Sequence, residues 1–168
     1  GDIVDVNTSD SQWINGYNAM RILDNKVPYT VLPGNHDLEG GPSPAAGAGA
    51  PLYENHFPAS RYKGDSYWGE SYDSSSVISS SPNMNNYQLF TWDGMKFITL
   101  NLQYRPPADV LAWADNVLSK YWDRRAIIST HSYLNPDGSL TTSGDKAIWQ
   151  NVVVPNKNVF LVLCGHEF

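Results

Sequence analysis

Apolar positions recur along the chain with two periods. In "DSQWINGYNAMRILD" (residues 10–24), Trp13, Ile14, Tyr17 and Met20 fall at helical spacing. A helix is predicted there, with Ser9 or Asp10 as its cap. The short apolar run 27–32 reads as a buried strand that stops at Pro33. Residues 38–85 carry little periodicity. "GGPSPAAGAGAP" is Gly/Pro/Ala punctuation and "DSSSVISSSPNMNN" a polar loop, yet Tyr53, Phe57, Tyr62, Tyr67 and Trp68 lie between them. So many aromatics argue against a linker, and long loops in compact domains are often functional. "NYQLFTWDGMKFITLNL" predicts a hairpin about Trp92-Asp93-Gly94. Residues 109–121 form the clearest helix, with Val110, Trp113, Val117 and Tyr121 on one face and Asp109 able to cap it. A strand over 125–130, a helix over 143–154 between Ser143 as cap and Pro155 as terminator, and a strand over 158–165 complete the pattern. Strands alternating with helices around an inserted hairpin favour an α/β or mixed α+β layered fold.

Composition narrows the class. A chain of 168 residues with 41% hydrophobic residues can build one globular domain. Its formal net charge of −6 argues against a nucleic acid polymer as partner, which needs a basic face. A small anionic substrate stays open, because a metal supplies local positive charge. No apolar run approaches the length of a membrane span. The single cysteine, Cys164, excludes an intrachain disulfide and reads as a small buried hydrophobe in "NVFLVLCG". Abundant Asn, Ser, Tyr and Trp with few Lys and Glu lean towards an exported protein, extracellular or periplasmic. The chain opens on "GDIVD" and closes on "LVLCGHEF", each next to a strand, so a fragment of a longer chain is expected.

The residues just after each apolar run point to chemistry. Gly1-Asp2 would succeed a preceding strand, and Gly34-Asn35-His36-Asp37 comes after 27–32. His131 comes after 126–130, and Gly165-His166 after 159–164. In an α/β sheet the carboxyl ends of parallel strands form one rim, where ligands bind. Asp2, Asn35, His131 and His166 can therefore meet. Two oxygen and two imidazole donors suit Mn, Fe, Co, Ni or Zn better than Ca or Mg. Each motif alone is more often turn and capping chemistry or a hydrogen-bonded structural histidine. Four at successive strand ends are harder to explain that way.

"GDIVD", "GNHD", an isolated His131 after a strand and "GH" at 165–166 together resemble the calcineurin-like metallophosphoesterases, in that family's order and across almost the whole chain. The insertion and "FPASR" look most like bacterial secreted members. The resemblance implies a four-layer αββα sandwich over residues 1–168, incomplete at its N-terminus, and a site for two divalent transition metals. It implies hydrolysis of small phosphomono- or diesters by a hydroxide activated between those metals. Asp2 would bridge the metals, and Asn35, His131 and His166 would complete the second. His36 would protonate the leaving group with Asp37 orienting it, and Asp5 would tie down the loop that carries Asp2.

Two departures qualify this. The family's upstream Asp-x-His motif is absent, and its closing Gly-His-x-His reads Gly165-His166-Glu167-Phe168. One metal site keeps its ligands and the other only a share of Asp2, so this polypeptide alone should be a poor catalyst. A catalytically impaired relative serving as a binding module, or a one-metal hydrolase, are the alternatives. Among further polar residues, His56 reads as packing, Arg61 and Arg105 as solvated or phosphate-contacting. Tyr67, Trp68 and Tyr72 read either as an aromatic wall for substrate or as pins for the long loop.

Overall fold

The computed structural model describes residues 1–45, 47–72, 82–141 and 144–167. Five strands form one sheet: β1 (Trp68–Ser71), β2 (Asn86–Trp92), β3 (Met95–Leu102), β4 (Arg125–Thr130) and β5 (Val159–Leu163), in spatial order β1-β2-β3-β4-β5. The first two pairings are antiparallel and the last two parallel. Asp93 and Gly94 join β2 to β3 with φ of 48° and 73°. Positive φ at both turn residues matches the twist of the flanking strands. The parallel steps need crossovers. α3 (Ala108–Lys120) carries the chain from β3 to β4. α4 (Gly144–Ile148), continued as a π-helical turn over Trp149–Val153, carries it from β4 to β5.

Strand alternation gives the sheet two unlike faces. Ile98, Leu100, Leu102, Ala126 and Ile128 point to one side and pack on Val110, Leu111, Ala114, Val117 and Leu118 of α3 and on Ile148 and Val152. The other side carries Asn86, Gln88, Thr99 and Asn101. These residues are buried or half-buried, yet bonded to one another: Asn101 Nδ2 and Gln88 Nε2 donate to Asn86 Oδ1 (2.9 and 2.7 Å), and Thr99 Oγ1 donates to Gln88 Oε1 (2.8 Å).

A mixed α/β domain is thus what forms, consistent with the metallophosphoesterase fold. Of the four-layer sandwich, the described residues build one sheet with its helices. The predicted strand 27–32 is not a strand. This segment runs extended across the polar face, where Thr30 Oγ1 donates to Asn86 Oδ1 (3.0 Å), and a cleft of about 940 Å³ lies between them. Its apolar character comes from packing rather than pairing: Val31 joins a second core and its carbonyl accepts from Tyr53 Oη at 2.9 Å.

The second core holds Val4, Trp13, Val31, Leu38, Tyr53, Phe57, Met84 and Tyr104. It sits among α1 (Asp10–Met20), α2 (Pro51–His56) and the loops between. Helix α1 starts at Asp10 as expected and runs on as a 3-10 turn to Leu23. Trp13 is fully buried, but Ile14 is exposed. Asp109 lies inside α3 rather than capping it; Pro107 is the cap, and Asp109 accepts from Tyr72 Oη at 2.9 Å. Ser143, the expected cap of the next helix, lies outside the described residues, as do 73–81 of the polar loop and Phe168.

The aromatic insertion is pinned, not open. Tyr53, Phe57 and Tyr62 are buried, and Trp68 stacks on Tyr62 with ring centroids 5.5 Å apart. Arg61 belongs to the same framework. Its Nη2 donates to both oxygens of Asp24 (2.8 and 2.9 Å), and its guanidinium lies over Tyr17. His56 stacks on Trp13. Glu54 of α2 accepts the Asn83 backbone N–H at 2.7 Å, and burial pushes its carboxyl from 4.5 up to about 7.

A raised pKa in the folded state means the fold binds the proton more tightly than the unfolded chain does. This stabilisation is complete below about pH 4.5 and is lost as the pH rises through 7. Denaturant unfolding should show stability falling between pH 5 and 8, and Glu54→Gln, which keeps an acceptor for Asn83, should flatten that fall. An unchanged pH profile in the variant would rule out Glu54 as its source.

Candidate metal centre

Three parallel strands, β3, β4 and β5, leave the sheet at the same edge. His131 follows the last residue of β4 directly, and His166 stands three residues past β5. Asp2 and Asn35 arrive from the two loops on the other side. Gly34 allows that approach: a Cβ there would lie 2.2 Å from Asp2 Oδ1 and 2.5 Å from its backbone nitrogen. A Cβ at Gly1 would lie 2.5 Å from His131 Nδ1.

The four expected ligands converge. Asn35 Oδ1 is 2.8 Å from His131 Nε2 and 3.1 Å from His166 Nδ1. The two ring nitrogens are 3.0 Å apart, and Asp2 Oδ2 is 3.2 Å from His131 Nε2. Asn35 Nδ2 donates to the Pro42 carbonyl at 2.6 Å, which turns its oxygen towards the histidines. Asp2, His131 and His166 offer ligand atoms all within 4.8 Å of one another. Bonds of about 2.1 Å to one ion place adjacent donors roughly 3.0–3.4 Å apart and opposite donors about 4.2 Å apart, so this donor set fits a transition metal.

Electrostatics favours the same use. His131 is buried, and desolvation pushes its pKa down to about 4 against the pull of the Asp2 carboxylate. The ring is therefore neutral near pH 7, with a lone pair to give. Asp2 and His166 both take positive φ, 51° and 74°, where non-glycine residues are uncommon. Strain of that kind clusters at functional sites. A cavity of about 410 Å³ adjoins the cluster, lined by Asp2, Thr130, His131, Cys164 and His166 among others. Cys164 is exposed, not buried as expected, because β5 is a sheet edge with half-exposed side chains.

His36 and Asp37 diverge. The Asp37 carboxylate turns inward and accepts three backbone N–H groups, from Gly34 (2.8 Å), Val4 (3.0 Å) and Ile3 (3.1 Å). It does not orient His36. Its burial raises its pKa, and those three bonds oppose the rise. His36 turns outward, with Nδ1 2.8 Å from the Asp5 carbonyl and 3.3 Å from the Asp5 carboxylate. The hydrogen bond to that carbonyl raises the His36 pKa, with the Asp2, Asp5 and Asp37 charges acting in the same sense. The two aspartates have thus exchanged the roles expected of them. A side chain three positions past Asp2 reaches out to the rim, whereas the residue after His36 points back under the one-turn 3-10 helix Asn35–Asp37. The His36 backbone N–H also donates to Asp2 Oδ1 at 3.1 Å.

Tyr104 joins the site without having been expected there. It is buried beneath the histidines, with ring centroids 5.9 Å from His131 and 5.4 Å from His166. It stands two residues past the end of β3, so the rule of strand ends that points to the ligands also reaches it. "LNLQYRPP" contains no His, Cys, Asp or Glu to mark the position.

The family model for calcineurin-like phosphoesterases matches residues 1–168. The uncharacterized protein YvnB of Bacillus subtilis (strain 168) is 34% identical over 169 residues, covering 99% of this chain and 12% of that protein. No solved structure matches. Matched along its whole length, the chain belongs to the calcineurin-like phosphoesterase family.

Proposed function

We propose that this chain hydrolyses small phosphate esters with a divalent transition metal held by Asp2, Asn35, His131 and His166. Membership of the family supports metal-dependent phosphoester hydrolysis in general. One observation carries the reading to these residues: four donor atoms from four separate segments stand 2.8–3.2 Å from a neighbouring donor, at coordination spacing. A metal bound there supplies Lewis acidity towards a phosphoryl oxygen and towards the attacking water. The chain's own residues do the rest. Asn35 keeps its oxygen inward through Pro42, and the His36 N–H fixes one Asp2 oxygen. His36, held at Nδ1 by the Asp5 carbonyl, presents its other nitrogen to a leaving group and donates the proton that group needs.

Among the described residues the donors suffice for one ion. Titration with Mn or Zn, read by calorimetry and elemental analysis, should give one ion per chain. His131→Ala or His166→Ala should abolish it. Two tightly held ions would mean that donors outside this cluster take part. Gly34→Ala should weaken metal binding by about 10–100-fold, since its Cβ displaces Asp2. An unchanged affinity would show that the loops yield without moving the ligand.

Hydrolysis is tested with chromogenic phosphomono- and diesters on the metal-loaded chain. His36→Ala should cut turnover by about 10²–10⁴ while metal content holds. Loss of metal in that variant would make His36 a ligand instead. Asp5→Asn keeps the backbone carbonyl that holds His36, and its carboxylate is largely exposed, so turnover should fall by no more than about fivefold. A chain that binds metal but hydrolyses neither ester class would be a binding module.

A further inference from the structure

His36 is held by a backbone carbonyl that no substitution at residue 5 can remove. Its Nδ1 lies 2.8 Å from the Asp5 carbonyl oxygen. That oxygen has no proton to give, so Nδ1 carries the hydrogen and Nε2 is the nitrogen left free. Asp5 and Val6 lie on an exposed loop that belongs to no strand. Whatever holds that loop therefore sets where Nε2 points.

Helix α1 holds it, from the other side of the same peptide group. Gln12 Oε1 accepts the Val6 N–H at 3.0 Å, and this is the N–H of the peptide unit whose C=O receives His36. It also accepts the Asp5 N–H at 2.8 Å. Across a trans peptide the N–H and C=O point opposite ways. Gln12, the peptide and His36 thus form one chain of hydrogen bonds, in which each bond polarises the next.

Gln12 is the third residue of α1, whose N-cap is Ser9. A glutamine at that position ordinarily reaches back to the N–H of the cap. Here the Ser9 N–H donates to the Val6 carbonyl at 2.9 Å, and Gln12 extends past the cap to residues 5 and 6. Its base is firm. The next residue, Trp13, is fully buried, and its Nε1 donates to the Asn7 carbonyl at 2.7 Å. The site loop is held stepwise: Ile3 and Val4 by Asp37, Asp5 and Val6 by Gln12, Asn7 by Trp13.

We infer that Gln12 is a positioning residue for proton transfer: through the Asp5–Val6 peptide it fixes the Nδ1–H tautomer and the ring direction of His36, which presents Nε2 to the leaving group. This rests on the phosphoesterase reading of the same site. As the P–O bond to the leaving group breaks, its electron pair stays on the ester oxygen, which takes the proton from Nε2. The water that forms the new P–O bond gives up a proton to solvent, from which His36 is reloaded.

Gln12→Met keeps the length of the side chain and removes the acceptor, whereas Gln12→Glu keeps an acceptor. On the Mn-loaded chain, Gln12→Met should lower kcat by about tenfold for an alkyl phosphate, whose alkoxide needs a proton to leave. For dinitrophenyl phosphate, whose leaving group needs none, the fall should be no more than about twofold. KM and Mn content should hold, and Gln12→Glu should recover most of the alkyl phosphate rate. Apart from turnover, nitrogen NMR of the metal-free chain with neutral His36 should show the Nδ1–H form in the parent and a shift towards the Nε2–H form in Gln12→Met. An unchanged tautomer or an unchanged alkyl phosphate rate overturns the inference. Equal loss with both esters, loss of Mn, or a Glu variant as slow as the Met variant makes Gln12 a support of the loop alone and overturns it too. Each of these results leaves the phosphoesterase reading intact. A parent chain that hydrolyses neither ester removes that reading, and the inference with it.

Discussion

The Asp37 carboxylate accepts backbone N–H groups from Ile3, Val4 and Gly34, and the candidate metal centre depends on that junction. The loop at residues 1–5 carries Asp2 and Asp5, and the loop at 34–37 carries Asn35 and His36. Neither loop belongs to the sheet. A buried carboxylate is costly unless its oxygens are satisfied, and here three donors satisfy it. The two from Ile3 and Val4 fix one loop against the other, and the one from Gly34 closes its own turn. Gly34 lets the two loops come close enough for the His36 N–H to reach Asp2. The candidate ligands on this half of the site are therefore positioned by a buried side chain that turns away from them.

The other half is positioned by the sheet. His131 and His166 inherit their places from β4 and β5, whose register is set by the apolar face packed on α3 and α4. The two halves meet where the two cores meet. Tyr104 belongs to the second core, packs against both histidines, and leaves the sheet from β3. Burial there accounts for the neutral His131, and the outward turn at Asp5 accounts for a more basic His36. One imidazole kept neutral by burial and one made more basic at the surface arise from opposite surroundings in one small site.

The polar face of the sheet shows how a local pattern can mislead. Residues 27–32 are apolar enough to be a strand, but the sheet offers them a face of amides rather than an edge. The segment lies across that face, and Val31 finds its apolar neighbours in the second core. The aromatic insertion had no readable period because its rings pack as individuals, on Tyr62, Trp13 and Trp113, rather than along one face of an element.

The sequence by itself determined the elements whose signal is local: the hairpin at Asp93-Gly94, the amphipathic α3, the strand 125–130, and the ligand types that stand after strand ends. Those rest on turn chemistry and periodicity, which neighbouring residues settle among themselves. Only the tertiary structure decided which aspartate clamps and which faces His36. It also decided that Arg61 is held in the scaffold by Asp24, and that Tyr104 underlies the histidines. Each of these depends on where a side chain points once distant segments have packed, and the direction of a loop side chain is not set by the residues beside it.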